Sequence, residues 1–270
     1  MAVERGGKLL LVGCGKMGGA MLEGWLALGL AASDAIVAEP VEALRPRRDG
    51  LRCVASSGEI RETPEIVVLA VKPQTMDAVL PDLRRFADGG AVFLSIAAGK
   101  TLKYFASHLG DTAKIVRSMP NTPAAVRQGI TVACAASGVS DAEKKRCQEL
   151  LEAVGQALWV EDEALIDPVT ALSGSGPAYV FLLVEAMAAA GAKLGLSPEM
   201  AMQLARATVS GSGELLRQSS EPASQLRVNV TSPGGTTAEA LKVLMAADGI
   251  QPVFDKALAA ASRRSKELAG

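Results

Sequence analysis

The sequence predicts an α/β fold in which a doubly wound sheet fills the N-terminal part of the chain and an all-α domain the rest. Three observations carry this: short apolar runs alternate with helical patterns up to residue 160, a glycine-rich turn follows the first run at once, and strand patterning stops beyond Val160. Residues 8–12 form the first strand and residues 17–30 the helix after it. Further strands are expected over 35–38, 66–71, 91–96, 114–117 and 130–134, with helices over 75–86 and 102–109 between most of them. Strands that are apolar without alternation are buried on both faces, so the sheet is expected to be parallel and covered by helices on each side. Ser140 and Glu143 make a capping box that opens a helix to residue 154, and residues 156–160 are one more strand.

Beyond that point the chain reads as helices over 163–172, 177–194, 198–218, 237–246 and 252–268. The expected organisation is therefore a dinucleotide-binding domain over 1–160 and a helical substrate-binding and dimerisation domain over 161–270. Ser197 before Pro198 is a hydroxyl cap with proline at the first helical position. The 177–194 helix is apolar nearly all round, so it is expected to bury itself against helices of a second subunit.

Composition narrows the functional classes. With 270 residues and 49% apolar content there is ample core for two domains. The 28 basic and 29 acidic residues leave a net charge of −1, and the basic runs are short, so nucleic acid is not an expected partner. The uninterrupted apolar run 178–184 in the most apolar helix falls far short of the roughly 20 residues a membrane span needs, so no membrane partner is expected. The first eight residues hold no apolar core and no cleavage signal, which points to the cytoplasm. Cys14, Cys53, Cys134 and Cys147 show no CxxC spacing, and the one histidine, His108 at a helix end, cannot complete a metal set with them.

The chemistry is concentrated in a few motifs. Gly13-Cys14-Gly15-Lys16-Met17-Gly18 matches GxGxxG between a strand and a helix, the context of a Rossmann-type dinucleotide turn. There the first glycine makes the tight turn, the second lets a pyrophosphate approach, and the third lets helix and strand pack closely. Glu39 ends the second strand, where an acid accepts hydrogen bonds from the adenosine ribose and repels a 2′-phosphate, so it leans toward NADH over NADPH. Arg45, Arg47 and Arg48 follow within reach of a phosphate. Lys72, at a strand exit before Pro73, is either a catalytic cation or a structural, cofactor-facing residue. The loop Met119-Pro120-Asn121-Thr122-Pro123 is either a wall beside the nicotinamide or simply a rigid connection. The turn from Val230 to Thr237 (VTSPGGTT) runs straight into a helix. It is either an ordinary capped helix start or an anion cradle in which glycine-permitted backbone N–H groups hold a small acid.

Taken in order, GCGKMG, LAVKPQ, SIAAG, MPNTP, ALSGSGPAY and VTSPGGTT closely resemble the pyrroline-5-carboxylate reductase family, which makes proline. The resemblance runs from Leu9 to Leu268 and is most specific over residues 171–179 and 229–241. It implies a helical domain that interlocks with a partner in a homodimer, further assembled in many members into a decamer. It also implies hydride transfer from NADPH or NADH to the cyclic imine 1-pyrroline-5-carboxylate. By matching positions, Val12, Gly13, Cys14, Gly15, Lys16 and Met17 contact the cofactor phosphates. Ser57, Ala70, Val71, Lys72, Pro73, Ile96, Ala97, Ala98 and Asn229 line the rest of the cofactor site, while Glu163, Ser232, Gly235, Thr236 and Thr237 contact substrate or product. Thr237 is the candidate catalytic side chain, through a hydrogen bond to the ring nitrogen. One departure stands out: many members carry a Ser/Asn-Arg pair after the second strand to grip a 2′-phosphate, and this chain has Glu39-Pro40. Two other readings are a β-hydroxyacid dehydrogenase, for which Lys193 is the candidate lysine in the 177–194 helix, and a cofactor-binding sensor without catalysis.

Overall fold

A computed structural model describes residues 8–269; residues 1–7, on which the expected lack of a cleavage signal rests, lie outside the described residues. The chain divides into two compact units, residues 1–174 with 261–270 and residues 175–260.

Among the described residues the first unit is built on eight strands: β1 (Leu9–Val12), β2 (Ala35–Ala38), β3 (Arg52–Val54), β4 (Ile66–Leu69), β5 (Val92–Ser95), β6 (Lys114–Met119), β7 (Gly129–Ala135) and β8 (Gly155–Trp159). They lie in the order β3-β2-β1-β4-β5-β6-β7-β8, and the first six have the 3-2-1-4-5-6 order of a doubly wound dinucleotide-binding sheet. Side chains alternate across this sheet, and both faces are apolar. Leu9 and Leu11 face α1 (Lys16–Ala27) and α4 (Asp141–Glu152), where Met21, Leu22, Trp25, Cys147 and Leu151 complete one core layer. Leu10 and Val12 face α2 (Met76–Asp88) and α3 (Leu102–Leu109), whose Leu80, Leu83, Phe86 and Phe105 complete the other. Trp25 Nε1 donates to Leu150 O at 2.8 Å and so ties α1 to α4 inside the first layer.

The sheet departs from the expected all-parallel arrangement at one place. β6 and β7 pair antiparallel, whereas β7 and β8 are parallel again. Residues 120–128 between β6 and β7 hold only a tight turn over Thr122–Val126, too short for the helical crossover that parallel neighbours require. Two elements also lack a clear sequence signal. β3 is a three-residue edge strand whose Arg52 is exposed, and α8 (Ala223–Asn229) is a polar seven-residue helix after Pro222. The Ser140 capping box is present, with both reciprocal bonds made. The stretch expected as one helix over 163–172 is instead a tight turn over Glu163–Leu165, α5 (Ile166–Val169) and a π-helical turn over Thr170–Gly174. His108 lies in the last turn of α3, its Nδ1 at 2.9 Å from Tyr104 O and its Nε2 at 3.4 Å from Asp77, so its ring links α3 to α2.

The second unit consists of α6 (Gly176–Lys193), α7 (Pro198–Gln218), α8, α9 (Thr236–Leu244) and the start of α10 (Ile250–Ala269). α6 and α7 form a hairpin that packs through small residues, Ala188 against Ala201 and Ala205, with Gly191 close to Ala201 and Leu196. Gly195 at φ +100° ends the first helix, and Ser197 accepts from Met200 N–H to start the next. Ala188 is the one buried residue of α6; Phe181, Leu182 and Leu183 are exposed, and the apolar surface is of the kind that marks an interaction face. The helical stretch Glu163–Lys193 spans 31 residues and is long and apolar enough to cross a bilayer by length and composition. The uninterrupted run 178–184 is shorter because Glu185 breaks it, while the alanines beyond sustain the average.

Gly155 opens β8 at φ +147°, and a Cβ there would stand 1.9 Å from Gly129 O on the paired strand. Gly155→Ala should therefore destabilise the first unit by about 3 kcal/mol. A denaturant midpoint equal to the parent's would contradict this account of the β7–β8 contact.

Candidate functional site

The carboxyl ends of the central strands are in register: Ala38, Val12, Leu69, Ser95 and Arg117 are successive partners across β2, β1, β4, β5 and β6. Open α/β sheets bind ligands outside this edge, where the strand order reverses. The loops leaving that row contain Gly13–Lys16, Glu39, Ala70–Pro73 and Ile96–Ala98, so the first unit gathers these sequence-expected cofactor residues along one edge.

Each glycine of the GxGxxG turn meets a different constraint. Gly13 has φ +92°, and a Cβ there would lie 2.8 Å from Val71 Cγ1 and 2.9 Å from Ala70 O. A Cβ on Gly18 would lie 2.4 Å from Gly13 O, so the helix can sit this close to the turn only without a side chain. Gly15 has nothing within 4 Å of its Cβ position. It is also the N-cap of α1 and brings no side-chain acceptor, so the first-turn N–H groups stay open to an anion. The residues present therefore fit a pyrophosphate.

Glu39 is buried, 5% exposed. Its Oε2 accepts from Cys14 N–H at 2.8 Å and its Oε1 from Val41 N–H at 2.9 Å, so the carboxylate braces the glycine turn as well as the loop after β2. Arg45 is turned back on this loop, donating from Nε to Glu39 O at 2.7 Å and from Nη2 to Pro40 O at 3.0 Å. Arg48 pairs with Glu23. Two of the three arginines are thus engaged within the protein. Burial, reinforced by the Glu39 carboxylate, pushes the Cys14 thiol up to about 11. Cys14 stays neutral at physiological pH and adds no negative charge to a phosphate-binding turn.

Ser57 is buried at the start of a turn capped by Ser56, and its carbonyl accepts from Arg85 Nη2 at 2.7 Å. Lys72 is exposed and caps a tight turn over Pro73–Thr75, its carbonyl taking the Thr75 hydroxyl at 2.9 Å. Glu163 is also in the first unit. Its Oε1 accepts from Arg117 Nη1 at 2.7 Å and from Leu102 N–H at 2.8 Å, which joins β6 to the start of α3. Asn121 of the MPNTP loop accepts from Ile130 N–H at 3.0 Å and donates to Ser173 O at 3.2 Å, connecting that loop to the π-helical turn of the ALSGSG motif. Arg117 and Asn121 were not singled out as site residues from the sequence. The available signal for Arg117 was a charge directly after the apolar pair Ile115-Val116.

Asn229, Ser232, Gly235, Thr236 and Thr237 lie in the second unit. Asn229 ends α8, where its side chain bonds Gln225 and Glu221 at 2.8 and 3.0 Å. Gly234 takes φ +69°, which carries the chain into α9. The N-cap of α9 is Gly235, without any side-chain cap hydrogen bond. Ser232 contributes its carbonyl to Gly235 N–H at 3.0 Å, and the Thr231 hydroxyl donates to Arg227 O at 2.6 Å. The hydroxyl-capped start expected on the ordinary reading is therefore not the local geometry, and the first-turn N–H groups of α9 stay open.

A family model described as pyrroline-5-carboxylate reductase dimerisation matches residues 163–268, and one described as NADP oxidoreductase, coenzyme F420-dependent, matches residues 8–99. A pyrroline-5-carboxylate reductase of Pseudomonas aeruginosa is 42% identical over 97% of this chain and 97% of its own. This chain belongs to the pyrroline-5-carboxylate reductase family. Among solved pyrroline-5-carboxylate reductases, that of Coxiella burnetii matches with TM-score 0.91 at 34% identity, over 98% of this chain and 100% of the other. A Plasmodium falciparum pyrroline carboxylate reductase with NADP bound matches with TM-score 0.82 at 31% identity, over 97% and 98%. The dimerisation model covers the helices whose apolar faces are bare in the single chain.

The glycine geometry makes a paired prediction. Gly18→Ala should cost about 2–3 kcal/mol of stability through the clash with Gly13 O. Gly15→Ala should leave stability within about 0.5 kcal/mol but weaken NAD(P)H binding, because its Cβ enters open space at the helix start. Thermal unfolding and cofactor fluorescence titration separate the two; equal loss of stability in both variants would refute the assignment.

Proposed function

We propose that this chain reduces 1-pyrroline-5-carboxylate to L-proline, the last step of proline biosynthesis, with NADPH or NADH as reductant. The observation that carries the reading is family membership along almost the whole chain, joined to an open glycine turn at the sheet edge and an uncapped helix start at α9. When bound, the dihydronicotinamide supplies a hydride to C5 of the imine.

The chain's own residues do the rest. The open N–H groups at the start of α9, from Thr236 and Thr237, hold the substrate carboxylate, with Gly235, whose own N–H is bonded to Ser232 O, and Ser232 beside them. The Thr237 hydroxyl bonds the ring nitrogen and fixes which face of C5 is presented. A protonated imine is already electrophilic, so orientation and a proton source suffice, and no buried histidine is required. Val12 to Gly18 hold the cofactor phosphates, Glu39 and Ser57 its adenosine side, and Ala70–Pro73, Ile96–Ala98 and Asn229 the remainder. The substrate domain begins at residue 161 on this reading, where strand patterning ends.

Glu39 favours NADH, because a buried carboxylate at the end of β2 repels a 2′-phosphate, and Arg45 and Arg48 are committed to partners in the protein. The protein works as a homodimer, assembled further into a decamer, in the cytoplasm, with neither nucleic acid nor membrane as partner. The apolar helices are covered by the second subunit.

Thr237→Ala should lower kcat/KM by about ten- to a thousandfold in a 340 nm assay with pyrroline-5-carboxylate. Near-parental turnover would remove Thr237 from the chemistry. Comparing kcat/KM for the two coenzymes should show a preference for NADH; a preference of about a hundredfold for NADPH, worth ~2.7 kcal/mol, would overturn the role given to Glu39.

A further inference from the structure

Arg117 is an anomaly in its strand. It is 3% exposed, in a sheet whose other buried strand positions are apolar or carry only a hydroxyl, and it stands at the end of the register row that runs through Val12, Leu69 and Ser95. One nitrogen, Nη1, donates to Glu163 Oε1 at 2.7 Å, while Nη2 is buried with no hydrogen-bond partner among the described residues. A guanidinium in such a place is costly, and a leucine or methionine would serve packing better. Its retention has to be explained by what it does to Glu163.

The partner's geometry supplies that explanation. Glu163 Oε1 takes both Arg117 Nη1 and Leu102 N–H, so one oxygen is wholly committed to the protein. Leu102 opens α3, directly after the loop that follows Ser95, so the pair also fastens the end of that loop. The second oxygen, Oε2, takes no hydrogen bond from any described residue, and the side chain is 27% exposed. The carboxylate is thus clamped by one oxygen with the other free, and the buried guanidinium holds it in place.

We infer that Arg117 is a positioning residue for the reduction: it holds Glu163 so that Oε2 shares the single N–H of the protonated imine with the Thr237 hydroxyl and takes one of the two N–H bonds of the product ammonium. This rests on the reading of the protein as an imine reductase. A carboxylate is the acceptor suited to a charged N–H, and a clamped one loses little freedom on binding it.

The test uses the full-length protein and four variants: Arg117→Gln, Arg117→Lys, Glu163→Gln, and the double Arg117→Gln/Glu163→Gln. Arg117→Gln should raise KM for pyrroline-5-carboxylate by about tenfold or more, with NAD(P)H affinity, titrated by fluorescence without substrate, within about twofold of the parent. Arg117→Lys keeps the charge and should recover most of that loss. The double variant should be no worse than Glu163→Gln alone, because the two residues act as one unit. Additive losses, or an equal loss of cofactor and imine affinity, would mean a purely structural role and overturn the inference, as would an unchanged KM. Should Arg117→Gln fail to fold, Glu163→Gln decides: inhibition by L-proline should weaken by about tenfold, and unchanged inhibition sinks the proposal. A parent protein that binds NAD(P)H but never oxidises it with the imine defeats the functional reading itself. An active parent with indifferent variants defeats only the role of Arg117.

Discussion

The buried carboxylate of Glu39 is the contact on which the cofactor edge depends. Strands β1 and β2 end side by side, and the chain must leave both without stranding its backbone donors in a dry interior. Glu39 answers for both exits, taking Cys14 N–H from one and Val41 N–H from the other. The glycine turn is thereby held in the form that keeps Gly15 open and lets Gly18 approach Gly13 O. The same carboxylate occupies the end of β2, where the 2′ position of a dinucleotide would come. The proposed bias against a 2′-phosphate would come from the same carboxylate that braces the turn, and a chain with a different residue here would have to brace its turn some other way.

The two units meet the cost of apolar surface differently. In the first, both faces of the sheet are covered by the chain's own helices, and Trp25, Phe86, Phe93 and Phe105 are fully buried. In the second, α6 and α7 bury little more than a seam of alanines against each other, and most of their large side chains stay exposed. Small residues allow the hairpin to close tightly but cover little area. This half matches a dimerisation model, and the homo-oligomer that the match points to would cover such faces.

Glu163 and Arg117 show how far a motif reading reaches. Glu163 was named by resemblance, with no reason in its own neighbourhood, since an acid at the start of a helical stretch is commonplace. Its clamp comes from residues 46 and 61 positions earlier in the chain, Arg117 and Leu102, and nothing local predicts that they meet. The ALSGSG and MPNTP motifs behave in the same way. Each reads as a turn signal by itself, and only the Asn121 bonds to Ser173 and Ile130 reveal that they support one another.

By itself the sequence determined the alternation of strand and helix up to residue 160, the glycine turn and the acid after β2, the Ser140 capping box and the all-helical second half. These depend on periodicity, steric freedom and capping within a few residues, which a linear pattern records. The tertiary structure alone decided the antiparallel turn-back of β7, the edge strand β3, the helix α8 and the break of the 163–172 stretch into three kinds of turn. These follow from connection length, from edge position and from contacts between distant segments, where local propensity is weak and packing prevails. It also decided that Gly235 caps α9 without a hydroxyl and that Arg117 faces Glu163, because which donor stays open and which charge is paired depends on neighbours far along the chain.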